Sequence, residues 1–347
     1  METLAMPLTD TPSNAMQAVV QSGYGGTDVL RVGTIERPRA REGEVVIRVH
    51  TAGLDRGTWH LMTGRPYLMR LMGFGFFGPK NPVAGLDVAG TVVEVGALVT
   101  RFRVGDAVFG IGQGTFAEYA RAREDKLVHK PDNLSFEHAA VLSVSGLAAL
   151  QALRDVGQLR ANERVLIIGA SGGVGTLAVQ LARAYGARVT GVCRTAKVEA
   201  VRALGAEQVI DYTQHDFADG SQRYDLIVDI GGNTPLRRLR RALTPTGRLV
   251  FVGNEYGGDW TAGFGRPLLA LALGRFVRQR FAMLASREHV AGIEVLAAHA
   301  EAGELTARID RRCRLQDVAS ALRDLEAGVV CGKVAIAIAP TSEFPPN

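Results

Sequence analysis

The segment Arg164-Val-Leu-Ile-Ile-Gly169-Ala-Ser-Gly-Gly-Val-Gly175 constrains this chain more than any other. Its first half is an apolar run without alternation, the pattern of a strand buried on both faces of a parallel sheet. Its second half crowds glycines just before a helix-forming stretch, Gly173 to Tyr185. Glycines there permit a sharp turn and let a pyrophosphate approach the helix N-terminus, where N–H groups and the helix dipole favour an anion. A glycine-rich turn alone is a weak signal, so its surroundings decide. A helix over Ser145–Leu153 precedes it. After it, strands over Ala187–Val192, Gln208–Asp211, Asp225–Ile230 and Arg248–Val252 alternate with helices over Ala196–Leu204 and Thr234–Leu243. That alternation predicts a doubly wound α/β nucleotide-binding domain over residues 135–285, with Ala170, Ser171, Gly172, Gly173, Val174 and Gly175 as its phosphate loop. A further strand within Phe276–Leu284 and a helix over Arg287–Ala302 follow.

The end of the next strand selects the dinucleotide. An NAD site places a carboxylate on the ribose hydroxyls about twenty residues beyond the glycines; an NADP site omits it and supplies a cation. Here the strand ends Gly191-Val-Cys-Arg194-Thr195, Lys197 follows, and no carboxylate occurs between Gly175 and Glu199. Cations at a helix start oppose its dipole and want a reason. Arg194 and Lys197 are therefore candidates to hold a 2′-phosphate, with Thr195 as a hydroxyl donor, and the expected cofactor is NADPH.

Residues from Met16 to about Lys130 read as β-structure. Glu44-Val-Val-Ile-Arg-Val-His50, Val88-Ala-Gly-Thr-Val-Val-Glu-Val-Gly96 and Asp106-Ala-Val-Phe109 are separated by glycine-rich turns. Trp59 to Pro79 lacks a clear period and reads as a loop or a short helix beside a pocket. The tail from Thr306 to Pro340 reads strand-helix-strand without a second nucleotide motif. Residues 1–15 are expected to be a flexible arm, with the first strand from Met16.

Charge and cysteine content exclude several classes. The formal charge is +5, but 40 basic residues are offset by 35 acidic ones and no nucleic-acid motif accompanies them. Cys193, Cys313 and Cys331 offer neither zinc spacing nor a disulfide framework, which fits a reducing compartment. The N-terminus lacks the pattern of a secretory signal, and the most apolar later stretch, Leu268–Leu273, is too short to span a bilayer. A cytoplasmic protein is expected, with no transmembrane segment and no nucleic-acid partner.

Taken together, Gly85-Leu-Asp87-Val-Ala-Gly90-Thr-Val-Val-Glu-Val-Gly96, Phe102-Arg-Val-Gly105-Asp106-Ala-Val108, Ala170-Ser-Gly-Gly-Val-Gly175, Val209-Ile-Asp-Tyr212 and the closing Gly332-Lys-Val334 carry a resemblance. From Met16 to about Ala339 the chain resembles the medium-chain dehydrogenase/reductase superfamily, in its zinc-free quinone-oxidoreductase and enoyl-reductase branch. The resemblance implies an α/β protein with a GroES-like, β-rich catalytic domain built from residues 16–134 and 286–340 around the Rossmann domain. It implies NADPH in the cleft, Tyr212 beside the adenosine phosphate, and Gly231, Val252, Gly253 and Lys333 among the cofactor contacts. A homodimer is implied as well.

The departures bear on chemistry. Zinc-dependent relatives ligate their metal through a Cys in the segment matching Ala52-Gly-Leu54-Asp55 and a His-Glu pair after the glycine matching Gly85. Those places hold Leu54, Leu86 and Asp87, and the four-cysteine structural lobe is missing, so no metal is expected. Quinone reductases commonly carry Asn at Asp55, Tyr at His60 and Thr at Ala148. Asp55 and Thr58 either orient a substrate carbonyl or water, or hold their loop through side-chain turns. His60 is either a general acid or an ordinary loop histidine. Trp59, Phe74, Phe76 and Phe77 either wall a flat apolar substrate or belong to the lobe core. The function expected is NADPH-dependent, zinc-independent hydride transfer to a small molecule, a quinone or an α,β-unsaturated carbonyl compound. The alternatives are an enoyl-thioester reductase and a non-catalytic NADPH-binding adaptor. Arg266, Arg275, Arg278, Arg280 and Arg287, mixed with Leu and Phe, suit either a membrane surface or a dimerising sheet edge.

Overall fold

The computed structural model describes residues 14–67, 70, 75–253 and 265–338. Phe74 and residues 1–13 of the expected N-terminal arm lie outside the described residues. The chain opens on an antiparallel pair, β1 (Ala15–Gln21) and β2 (Leu30–Glu36), so the first strand takes one residue from that arm. Next come β3 (Glu44–Leu54), α1 (Arg56–Thr63), β4 (Asp87–Val95), β5 (Ala107–Ile111), β6 (Tyr119–Arg123) and β7 (Leu127–His129). Helices α2 (Phe136–Ala140) and α3 (Ser143–Leu150) lead into an alternating stretch. It runs β8 (Arg164–Ile168), α4 (Gly173–Ala184), β9 (Arg188–Cys193), α5 (Val198–Ala203), β10 (Gln208–Asp211) and β11 (Tyr224–Asp229). It continues through α6 (Leu236–Ala242), β12 (Leu243–Phe251), α7 (Gly265–Leu273) and β13 (Arg280–Met283). The tail is α8 (Val290–Glu301), β14 (Ile309–Arg314), α9 (Val318–Glu326) and β15 (Lys333–Ala337).

Two sheets organise these elements. Six parallel strands lie in the order β10-β9-β8-β11-β12-β13. The order reverses between β8 and β11, and at such a switch point an open α/β sheet leaves a crevice beyond its strand ends. The second sheet takes strands from both halves of the chain, in the order β14-β15-β3-β4-β5-β7 with β6 paired to β3. The strand expected within Phe276–Leu284 is the short edge strand β13, preceded by a helix, α7, that periodicity did not reveal.

The two sheets share a core. Its largest apolar cluster joins Phe109, Ile111 and Val128 of the second sheet to Leu147 and Leu150 of α3 and to Val165 and Ile167 of β8. Helix α2 packs on β3, β4, β5 and β15, with Phe136 stacked on His50 at a centroid distance of 4.2 Å. Helix α3 packs on α4 and α8. Gly146 permits the α3–α8 approach, since a Cβ there would stand 2.7 Å from Leu296 Cδ1. Among the described residues, no helix is long and apolar enough to cross a membrane.

Candidate active site

A cleft of about 430 Å³ opens at the switch point, between the ends of β8, β9 and β11 and the Leu54–Lys333 end of the second sheet. Its phosphate-sized end is built from backbone. Gly169 turns with φ +88°, its N–H and that of Ala170 both donate to the Val192 carbonyl at 3.1 Å, and Gly172 N–H returns to the Gly169 carbonyl at 3.1 Å. Helix α4 then begins at Gly173 without a side-chain cap, which leaves its first N–H groups for a ligand. A Cβ at Gly175 would stand 2.1 Å from Gly169 O, so this glycine lets the helix sit against the loop. Ala170 and Gly175 are buried behind the loop, whereas Ser171, Gly172, Gly173 and Val174 line the cleft. The cradle fits a dinucleotide pyrophosphate.

Arg194, Lys197 and Tyr212 line the same cleft. Arg194 Nε donates to the Tyr212 hydroxyl at 2.6 Å. Lys197 Nζ donates to the carbonyls of Gly328 and Val330 at 2.8 and 2.7 Å, and its burial lowers its pKa. Thr195 departs from expectation. Its hydroxyl donates to Asp211 Oδ2 at 2.5 Å, so its single proton is already used; that bond, with those from Thr213, holds Asp211 below the usual carboxylate range. Gly231 lines the cleft too, while Val252 and Gly253 do not line it, their N–H groups bound to the Asp229 carbonyl at 2.9 and 3.3 Å.

Beside this cradle, three neighbouring strands bring charges together. Val334 of β15 pairs with Leu54 of β3, and Gly53 of β3 pairs with Asp87 of β4, so Asp55, Asp87 and Lys333 meet at one strand end. A Cβ at Gly53 would stand 2.6 Å from Ala140 O and 2.7 Å from Asp87 Cβ, which keeps that position bare. Lys333 Nζ donates to Asp87 Oδ2 at 3.1 Å and to Ser145 Oγ at 3.0 Å. Asp87 Oδ1 accepts from Val144 N–H at 2.8 Å. Asp87 is fully buried, and burial pushes its carboxyl up to about 7 against the opposing pull of Lys333. Asp55 caps α1, its Oδ1 accepting from Thr58 N–H at 2.8 Å and Thr58 Oγ1 at 3.3 Å. Asp55 Oδ2 is buried with no hydrogen-bond partner among the described residues.

Thr58, Trp59 and His60 all sit on α1, a helix in the stretch whose period was unclear from sequence. None of the three lines the cleft. Thr58 is buried under its cap, and Trp59 packs partly against the core of the second sheet beneath the Arg56 guanidinium, 4.9 Å from its ring. His60 Nδ1 donates to the Arg65 carbonyl at 2.8 Å, a bond that fixes its hydrogen on that nitrogen. Phe77 is 94% exposed and Phe76 60%, packed edge-on to each other with centroids 5.0 Å apart. The loop carries them outward, so neither walls the cleft. Ser145 is the site residue that sequence reasoning missed. It lies in an Ala/Leu-rich helix whose composition speaks only of packing, and it becomes visible once Lys333 is placed beside it. Thr234 and Arg238, also lining the cleft, were read only as part of the helix over Thr234–Leu243, and Asn233, which lines it too, was not singled out.

Residues 41–132 match the family described as alcohol dehydrogenase GroES-like domain, and residues 204–336 match zinc-binding dehydrogenase. Over 299 residues the chain is 31% identical to the quinone oxidoreductase of Sus scrofa, spanning 82% of this chain and 88% of that protein. It is 35% identical over 255 residues to the mitochondrial NAD(P)H oxidoreductase RTN4IP1 of Bos taurus, spanning 65% of this chain and 62% of that protein. The solved structure of the quinone oxidoreductase from Coxiella burnetii superposes with a TM-score of 0.82 at 28% identity, covering 94% of this chain and all of that one. The residues at hand do not fit the zinc of the second family description. Leu54 and Leu86 cannot ligate a metal, and an ammonium already stands 3.1 Å from the Asp87 carboxylate.

Proposed function

This chain belongs to the medium-chain dehydrogenase/reductase superfamily, in its quinone oxidoreductase branch, and from that premise we propose that it is an NADPH-dependent, zinc-independent reductase of quinones or α,β-unsaturated carbonyl compounds. One observation carries the reading. A single cleft joins a bare helix start, two cations and, beside that helix start, a buried lysine–carboxylate pair where metal ligands would stand. Gly173 and Val174 would hold the pyrophosphate through backbone N–H groups. Arg194, braced by Tyr212, and the remaining N–H of Lys197 would hold the 2′-phosphate. Bound NADPH would supply the hydride.

The choice of acceptor follows from charge. Reducing a simple ketone concentrates an alkoxide on one oxygen, which a zinc Lewis acid ordinarily stabilises. Hydride addition to an enone or a quinone spreads the charge over a conjugated system, where a few fixed donors and a near-attack geometry suffice. A homodimer belongs to the same reading: β13 ends the parallel sheet, and Leu268, Leu269 and Phe276 beside it are exposed. The test is a steady-state screen of quinones, enals, enones and enoyl thioesters with NADPH. Turnover of quinones or enones is the expected result. Preference for enoyl thioesters would move the assignment to that substrate class, and NADPH binding without any turnover would make the protein an adaptor.

A further inference from the structure

We propose that the Lys333 ammonium and the Ser145 hydroxyl together form the hydrogen-bond donor pair for the acceptor's carbonyl oxygen, resting on the reductase reading above. Both residues line the cleft, yet Lys333 is only 1% and Ser145 only 3% exposed. Lys333 Nζ uses two of its three N–H groups, on Asp87 Oδ2 and Ser145 Oγ, and so keeps one for a ligand. Ser145 accepts that bond with its oxygen and retains its own O–H to donate. The charge behind the hydroxyl strengthens it as a donor.

The pair is held rigidly. Asp87 is clamped from one side by Lys333 and from the other by Val144 N–H at 2.8 Å, with no water-exposed surface. The lysine stem passes close to the start of α4: a Cβ at Gly173 would stand 2.9 Å from Lys333 Cδ and 3.3 Å from Ser145 Oγ. The two donors therefore lie beside the helix start proposed for the cofactor. They also lie at the end of the cleft that holds Asp55, whose unpartnered Oδ2 adds a second carboxylate against one ammonium. With both carboxylates ionised, that balance disfavours a substrate arriving as an anion. It suits a neutral carbonyl whose oxygen gains charge only as the reaction proceeds, the condition under which donors accelerate the step rather than merely tighten binding.

The chemistry balances with water and a reduced nicotinamide as the co-reactants. Hydride brings two electrons and forms a C–H bond at the β-carbon of an enone. The C=C π bond breaks, and its electron pair shifts through the conjugated system onto the carbonyl oxygen, held there by Lys333 N–H and Ser145 O–H. Water then supplies the one proton that completes the ketone. Thr58 and His60 take no part, because neither lines the cleft.

The probe is 2-cyclohexenone labelled with ¹³C at its carbonyl, bound to protein saturated with NADP⁺, which has no hydride to give. Difference infrared spectroscopy reads the carbonyl stretch. In the parent it is expected below its value in water; S145A should recover part of that shift, and D87N/K333M all of it. The double variant removes the ammonium together with the carboxylate it is paired to, rather than leaving either one alone, and thermal melting checks that it folds. With NADPH, S145A should lose at least about tenfold in kcat with KM little changed, since removing one such donor typically costs about a hundredfold or more. A carbonyl stretch that is the same in all three proteins overturns the assignment. So does a double variant that loses NADPH affinity while the stretch stays put, which would make Lys333 a cofactor ligand. A parent that polarises the carbonyl but reduces nothing counts against the reductase reading alone.

Discussion

Arg194 and Tyr212 stand at the ends of adjacent parallel strands, joined by a 2.6 Å hydrogen bond from guanidinium to phenol. The bond orders a flexible cation before any phosphate arrives, and lowers the entropy cost of binding one. Replacing Arg194 and Lys197 together with alanine should cost at least about tenfold in NADPH affinity, given about 1.5–3 kcal/mol for a hydrogen bond to a charged group, and leave NADH affinity nearly unchanged. Titration calorimetry with both cofactors checks this. A double variant that binds both as the parent does would remove the case for NADPH preference.

The glycines of the phosphate loop are not equivalent. A Cβ at Gly175 would press on Gly169 O at 2.1 Å, whereas the nearest atom to one at Gly172 is that same oxygen at 3.6 Å. G175A should destabilise the protein by about 1–3 kcal/mol, the usual cost of overpacking, and weaken cofactor binding by pushing α4 off the loop. G172A should leave stability unchanged, since its Cβ meets only ordinary contact with the protein. Equal melting temperatures for the two variants would contradict this account of the loop.

What the sequence disclosed follows physical range. The strand and glycines from Arg164 to Gly175 have local signatures, so the parallel sheet and its cleft were legible from them. The absence of a carboxylate before Glu199 is likewise local, and points to Arg194 and Lys197. Ser145 and Lys333 lie 188 positions apart and meet only because β15 returns beside β3, a pairing no local pattern encodes. Phe76 and Phe77 misled for the converse reason: aromatic composition suggests burial, but the loop geometry that exposes them is not written in composition. Thr195 was read as a phosphate donor because its competitor, Asp211, reaches it from another strand.

Stability should depend on pH through Asp87. Burial raises its carboxyl from an ordinary 3.8 to about 7, so between those values the folded protein keeps a proton that the unfolded chain has released. The associated stability is complete below the unfolded value and is lost as pH rises toward about 7. Melting of the parent relative to D87N/K333M should therefore worsen steadily from about pH 4 to about pH 7 and level off above. Parallel melting curves across that window would show that Asp87 does not titrate there.

His60 and Asp55 separate loop chemistry from catalysis. His60 donates to the Arg65 carbonyl away from the cleft, so H60A should change turnover only a few-fold, far short of the hundredfold or more at which a general acid contributes. D55A removes the cap of α1 and should cost about 0.5–2 kcal/mol of stability, whereas D55N retains it. A large loss of turnover in H60A would return the histidine to the active site.

The most direct test of zinc-independent hydride transfer to a conjugated acceptor is a rate comparison on one preparation, dialysed against chelator and assayed for metal. NADPH with a simple quinone or enone, and NADP⁺ with simple alcohols, are run side by side. We expect metal-free protein to reduce the quinone or enone at an undiminished rate and to oxidise the alcohols far more slowly. Stoichiometric zinc whose removal abolishes activity, or alcohol oxidation faster than every quinone and enone reduction, would contradict the account.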